Sequence, residues 1–450
     1  MSEQAVGAQF SRVLLVTGLG RIGTTGLGLV STILLVRGLS PEAFAQYATA
    51  FAAISLLSLL SLFGAETTIL RDTAAAIARG DDRRARIAAT GDIIGVAILS
   101  PAIGGLALAI ALPLLEAPAI LLPCAIWVIA MSLNRVLGEW LRGLRLVLPA
   151  TLFNGSGPFG GLFNSAATLG ALLILTATGQ MTLPNILWAS VGITMLSASI
   201  ALLIGMSVLG LSPGREALAH RRATIRSTMP LYGMQGLHFL TNAQGHILLA
   251  GFIFDARAIA LLAVALRLHA LASTVLVTLT QAGSELIVRL HALSDRKGLE
   301  RILRLSASCA TAAAIAIAAA LAVLRPQGFE LIFGVEYGPA YGLALLFMLV
   351  AILNAVGGLS IRTLTLLGHA DSALRVQILG ALATLGLALP MGIALGPPGF
   401  VAGCALATLI QRLVAVRMVR RHIGITAHAY LAPRDYLGLA RGLILKRRAA

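Results

Sequence analysis

Runs of about 20 mostly apolar residues, each closed by a short polar or charged stretch, recur along the whole chain. They fall approximately at 10–36, 44–70, 90–114, 118–140, 150–177, 184–210, 229–254, 258–286, 303–324, 339–363, 374–396 and 399–419. Each has the length of a bilayer-crossing helix. The pattern therefore predicts an all-α polytopic membrane protein of about 12 transmembrane helices with short connections. Composition agrees: of 450 residues 58% are hydrophobic and 12% charged, against roughly 25% charged in an average soluble chain. The first run lacks a basic lead-in and is too long for a cleaved signal peptide. No loop is long enough for a catalytic or nucleotide-binding domain. P-loop, H-E-x-x-H and G-x-S-x-G patterns and paired catalytic carboxylates do not occur, so an ATP-driven pump in this chain alone is excluded and no cofactor or metal is expected. Cys124, Cys309 and Cys404 lie in apolar runs without a C-x-x-C pair and read as small hydrophobes.

The formal net charge of +16 would suit nucleic acid, but its distribution does not. Basic residues crowd alternate loops: Arg71 to Arg86, Arg142 and Arg145, Arg215 to Arg226, Arg289 to Arg304, and the tail from Arg420 to Arg448. The intervening loops hold none, or single residues such as Arg37, Arg257 and Arg325. This positive-inside pattern predicts an even number of spans and a multi-pass protein with both termini in the cytoplasm. The basic tail then reads as a membrane-surface segment, with membrane lipids and not nucleic acid as partner.

The basic stretch 211–228 divides six spans from six. The expected organisation is an N-terminal half 1–210, a linker 211–228, a C-terminal half 229–420 and a cytoplasmic tail 421–450. The halves share a weak signature. Gly64-Ala65-Glu66 aligns with Gly283-Ser284-Glu285, and Asp81-Asp82-Arg83 with Asp295-Arg296-Lys297. Two six-helix pseudo-symmetric halves of this kind are expected to enclose a central cavity and to rock against each other.

Ionisable residues inside spans are expensive and so mark candidate sites. Residues 18 to 23, "GLGRIG", match the dinucleotide fingerprint, but the apolar run continues through them to Arg37, so no βαβ unit can form. The glycines read instead as close packing of helix 1, and Arg21 becomes a cavity candidate. Arg267 and His269 lie within span 8. His238, Asn242 and His246 in span 7 have i, i+4, i+8 spacing and would share one helix face. Glu66, Glu285, Arg135 and Glu139 sit toward the cytoplasmic ends of spans and are gate candidates; Asn354 lies within span 10. Structural readings stand beside these. Arg21 could snorkel, Arg267 could bind neighbouring carbonyls, and the histidines could bridge helices. Arg135 and Glu139 could form an i, i+4 pair, and Glu66 and Glu285 could pair with loop arginines or be solvated ends. No Asp or Glu sits near the middle of a span, so the cavity is expected to be cationic. Guanidinium forks suit pyrophosphate, whereas a carrier of cationic drugs would want a membrane-embedded carboxylate.

The stretch "LLVRGLSPEAFAQYATAFAAISLLSLLSLFGAETTILRDTAA" resembles the opening of bacterial polysaccharide-biosynthesis flippases, in Arg37, Gly38, Pro41, Glu42, Phe44 and Tyr47, then Gly64 and Arg71. "RGLRLVLPA" and "LIFGVEYGPAYGLALLFML" are similar to the same family, which belongs to the MOP exporter superfamily. The second-half stretch "FDARAIALLAVA" lacks the tyrosine that relatives often show. The resemblance implies a flippase that turns undecaprenyl-pyrophosphate-linked oligosaccharide from the cytoplasmic to the periplasmic leaflet, for O-antigen, capsule or exopolysaccharide. Polysaccharide polymerase and glycosyltransferases are its candidate partners. A multidrug or metabolite antiporter of the same superfamily is the alternative. A membrane-embedded glycosyltransferase or polymerase is disfavoured by the short loops.

Overall fold

The structure, a computed structural model, describes residues 3–115, 118–153 and 160–430. Helices run in the order α1 (Glu3–Gly38), α2 (Pro41–Leu62), α3 (Ala65–Ala78), α4 (Asp82–Leu115), α5 (Pro118–Gly143), α6 (Val147–Phe153), α7 (Leu162–Ala177) and α8 (Leu183–Val208). They continue as α9 (Arg215–Leu240), α10 (Ala243–Gly251), α11 (Ala256–Ala292), α12 (Arg296–Phe333), α13 (Ala340–Val356), α14 (Ser360–Leu366), α15 (Ala370–Ala383) and α16 (Leu389–Ile423). A short 3₁₀ turn (Val335–Tyr337) precedes α13 and a π turn (Thr384–Ala388) joins α15 to α16. There is no strand among the described residues, so "GLGRIG" lies inside a helix.

Each of the twelve apolar runs falls on helix, but eight stretches among the described residues combine the length and apolarity to cross a bilayer. Runs 11 and 12 form one of them, Ala370–Ile423. Run 5 divides between α6 and α7, and part of it, with most of "NGSGPFGG", lies outside the described residues. Run 7 divides between α9 and α10. The breaks have local causes. Phe63 and Gly64 are both left-handed (φ 45° and 81°), which ends α2 and restarts α3. Arg325 (φ 57°) breaks α12 ahead of Pro326, and Gly396 (φ 70°) breaks α16 ahead of Pro397 and Pro398. Asn242 caps α10 by accepting hydrogen bonds from the amides of Gln244 and Gly245.

The chain forms two compact units. The first comprises Met1–Arg267 with Pro326–Tyr341, and the second Leu268–Arg325 with Gly342–Ala450. The division falls inside α11. In the first unit Leu62, Ile69, Val96, Trp140, Leu141 and Ala198 pack α2, α3, α4, α5 and α8 into one core. Trp140 fills the space left by Gly205, where a Cβ would stand 2.2 Å from the indole. Gly20 and Gly23 set α1 against Thr151 and Leu162 in the same way, whereas Gly26 faces open space. The segment 326–341 is held by Arg37. Its Nε donates to the Ile332 carbonyl at 3.0 Å and its Nη2 donates to the Leu331 carbonyl, capping a helix end. Phe44 meets Tyr337 edge-on with centroids 6.2 Å apart. The residues that carry the family resemblance, far apart in sequence, therefore meet here.

In the second unit Gln411 donates to Gln377 at 2.8 Å, and the Arg412 stem covers Gly357. The first residues of the tail fold back onto this unit. Ala429 N donates to Val356 O at 3.0 Å, Tyr430 N donates to Ser308 Oγ at 2.8 Å, and Arg304 lies 4.0 Å over the Tyr430 ring. Residues 431–450 lie outside the described residues. The aligned Gly64 and Gly283 adopt different conformations: Gly64 breaks a helix, while Gly283 lies inside α11.

Candidate functional site

The left-handed turn at Phe63-Gly64 re-aims the chain so that Glu66, in the first turn of α3, faces α5. Arg135 Nε donates to Glu66 Oε1 at 2.7 Å, and Arg142 Nη1 donates to Glu139 Oε1 at 2.5 Å. Glu139 also feels the charges of Glu66 and Arg135, and the Arg142 charge acts on Arg21 of α1. Arg21, Glu66, Arg135, Glu139 and Arg142 thus form one half-buried cluster in the first unit, with three guanidiniums against two carboxylates. Two expectations are corrected. Arg135 pairs across helices with Glu66 and not with Glu139, and Glu66 takes its arginine from α5 and not from a loop. The reason is the break before α3, which hydropathy does not register.

Arg267 lies in the apolar stretch Ala256–Thr280 of α11, where its charge acts on the buried Tyr47 of α2, in the same unit. His269, two residues on, lies in the other unit. Its Nδ1 is 3.0 Å from Phe347 O and its Nε2 3.5 Å from Ser273 Oγ, so both ring nitrogens face protein partners. His238, Asn242 and His246 do not share one face: α9 ends before Asn242, which caps α10 through its side chain. His238 is exposed and His246 buried. The i, i+8 spacing assumed a continuous helix that the capping asparagine interrupts. Asn354 lies in α13. Glu285 lies in α11, and its side chain is outside the described residues.

Among the described residues of the first unit, one buried charge is acidic and does not stand out by hydropathy. Asp92 is fully buried and Arg221 is 4% exposed. Arg221 Nη1 donates to Asp92 Oδ1 at 3.0 Å, and Thr68 Oγ1 donates to Asp92 Oδ2 at 2.6 Å. Arg221 Nη2 donates to the carbonyls of Leu62 and Phe63, each at 3.0 Å. One guanidinium thus ties α9 to α4 and caps the end of α2. Arg221 lies buried in α9 and is not a solvated loop arginine. The legible signal was Gly91 and Gly95 one turn apart around a lone aspartate. A Cβ at Gly91 would stand 2.3 Å from Ala217 O, and one at Gly95 2.9 Å from Arg221 Nε. Toward the loop end of α3, Asp72 accepts from Arg71 Nε at 2.7 Å and lies 3.3 Å from His220 Nε2. Burial pushes its carboxyl up, but the contacts with His220 and Arg71 outweigh this and bring it down to about 2. Among the described residues no group of three or more His, Cys, Asp or Glu is placed to hold a metal ion.

The arrangement of these helices is similar to that of solved MATE family transporters. An inward-facing multidrug resistance MATE family transporter of the MOP superfamily has a TM-score of 0.67 at 17% identity, with 92% of this chain and 98% of that one covered. An outward-facing counterpart gives 0.61 at 16% identity over 92% and 96%. A MATE protein in complex with MaL6 gives 0.62 at 16% identity over the same shares. No curated protein matches this chain. Residues 12–284 match the family described as Polysaccharide biosynthesis protein, and the chain, a multi-pass membrane protein, belongs to that family.

Proposed function

We propose that this protein flips undecaprenyl-pyrophosphate-linked oligosaccharides across the inner membrane for surface polysaccharide synthesis, by alternating access, with both termini in the cytoplasm. The observation that carries this reading, within the family, is the sign of the intramembrane charge. Arg21 and Arg267 lie inside apolar helices, and the cluster that includes Arg21 sets three guanidiniums against two carboxylates, Glu66 bonded to Arg135 and Glu139 to Arg142. Such an excess of guanidinium offers a pyrophosphate bidentate donors and gives a cationic drug little to hold. The lipid tail would remain in the bilayer while the headgroup crosses. Arg21→Ala and Arg267→Ala should each cut surface polysaccharide by about tenfold or more, a loss of one guanidinium–phosphate contact, while folded protein stays in the membrane. Normal export by both variants would sink the cationic-site reading.

The multidrug MATE neighbours favour a second reading, an antiporter of drugs or metabolites. Deletion of the gene separates the two: the flippase reading expects loss of surface polysaccharide with unchanged drug susceptibility, the antiporter reading the converse.

A further inference from the structure

A second cationic feature of the first unit lies outside the cluster just described. Where α3 turns into α4 beside α9, Arg71, Asp72, Arg79, Arg84 and His220 line a cavity of about 220 Å³. Three guanidiniums face one carboxylate, and that carboxylate is already engaged by Arg71 and His220. Arg79 and Arg84 make no side-chain hydrogen bond or ion pair among the described residues. The acids nearby in sequence offer them nothing. Asp81 accepts from the Arg84 amide at 2.9 Å as it caps α4, Glu216 is held by Arg83 at 2.9 Å, and Asp82 does not line the cavity.

We infer that this cavity is a binding site for a phosphate group. Asp72 neutralises Arg71 and fixes the floor, leaving the Arg79 and Arg84 forks to grip an anion from two sides. A tetrahedral phosphate holds its non-bridging oxygens in different directions, three or more on inorganic phosphate or pyrophosphate and two on a phosphodiester headgroup, and so meets two separate guanidiniums, whereas the two coplanar oxygens of a carboxylate suit one fork. The same chemistry can come from an anionic lipid headgroup or from a free phosphate or pyrophosphate in water.

The test uses the full chain purified in detergent. Inorganic pyrophosphate and inorganic phosphate are titrated by calorimetry, and retained phosphatidylglycerol is compared with phosphatidylcholine by native mass spectrometry. Arg79→Ala/Arg84→Ala should weaken binding by about tenfold or more, the loss of two charge-assisted contacts. Both side chains are exposed, so the fold should persist; Arg79→Gln/Arg84→Gln, which keeps side-chain bulk without the charge, should weaken binding equally. Arg420→Ala/Arg421→Ala at the end of α16 removes the same charge from an exposed surface of the other unit and should leave binding within about twofold. Loss confined to phosphatidylglycerol identifies a lipid headgroup, and loss confined to the inorganic anions identifies a free phosphate. Unchanged binding in both cavity variants, or an equal loss in the Arg420/Arg421 variant, overturns the assignment.

Discussion

At the scale of single residues, the decisive contact is the one between Arg221 and Asp92, with side chains 5% and 0% exposed. Removing one partner leaves a buried charge alone, whereas removing both leaves two apolar surfaces. Arg221→Ala should therefore lower unfolding stability in detergent by about 3–5 kcal/mol, and Arg221→Met/Asp92→Leu should recover much of it. Additive losses in that cycle would show that the two groups do not interact. Asp72 makes a different prediction. Its folded carboxyl is held at about 2 against an ordinary 3.8, so its contribution is fully present above the ordinary value and fades as pH falls through about 4 toward about 2. Thermal unfolding of the wild type should drop more steeply across that window than that of Asp72→Asn. Parallel curves would mean that the ion pair adds nothing to the folded state.

At the scale of elements, helix positions follow from apolar run length, but helix breaks follow from single residues inside the runs. Asn242 caps α10 in the middle of a run that reads as one span, and Phe63-Gly64 interrupts another. These breaks are why the expected pairing of Arg135 with Glu139 and the shared face of His238, Asn242 and His246 do not occur. Packing between elements is set by small residues. Gly205→Ala places a methyl group on the Trp140 ring, which is fully buried and cannot retreat. The expected cost is about 1–3 kcal/mol in thermal or denaturant unfolding, with partial rescue by Trp140→Leu. A neutral Gly205→Ala would show that α5 and α8 can move apart freely.

At the scale of the whole chain, segment 326–341 belongs by sequence to the second half and by contacts to the first unit. Arg37 is one reason. Arg37→Ala removes two bonds to the end of a helix and leaves carbonyls uncapped, which should lower the local opening free energy by roughly 1 kcal/mol. Hydrogen exchange in 330–338 should quicken while exchange in the α5 core stays the same. Unchanged exchange at 330–338 would assign the anchoring to the Phe44–Tyr337 contact instead.

The sequence by itself determined that the chain spans a membrane, where its helices lie and that basic charge gathers in alternate loops. These are properties of runs and counts, and run length and polarity are local quantities. Its Gly-Arg-Pro-Phe-Tyr pattern also pointed to the family that the comparison shows. Only the tertiary structure decided who partners whom. Arg221 reads as one more loop arginine until α9 lies in the Gly91–Gly95 groove and brings it to Asp92. Glu66 and Arg135 stand 69 positions apart and meet only because a left-handed turn aims α3 at α5. Hydropathy scores each residue against solvent, whereas an ion pair depends on where a distant helix puts its charge. For that reason the cationic character was legible in the sequence and the cluster was not.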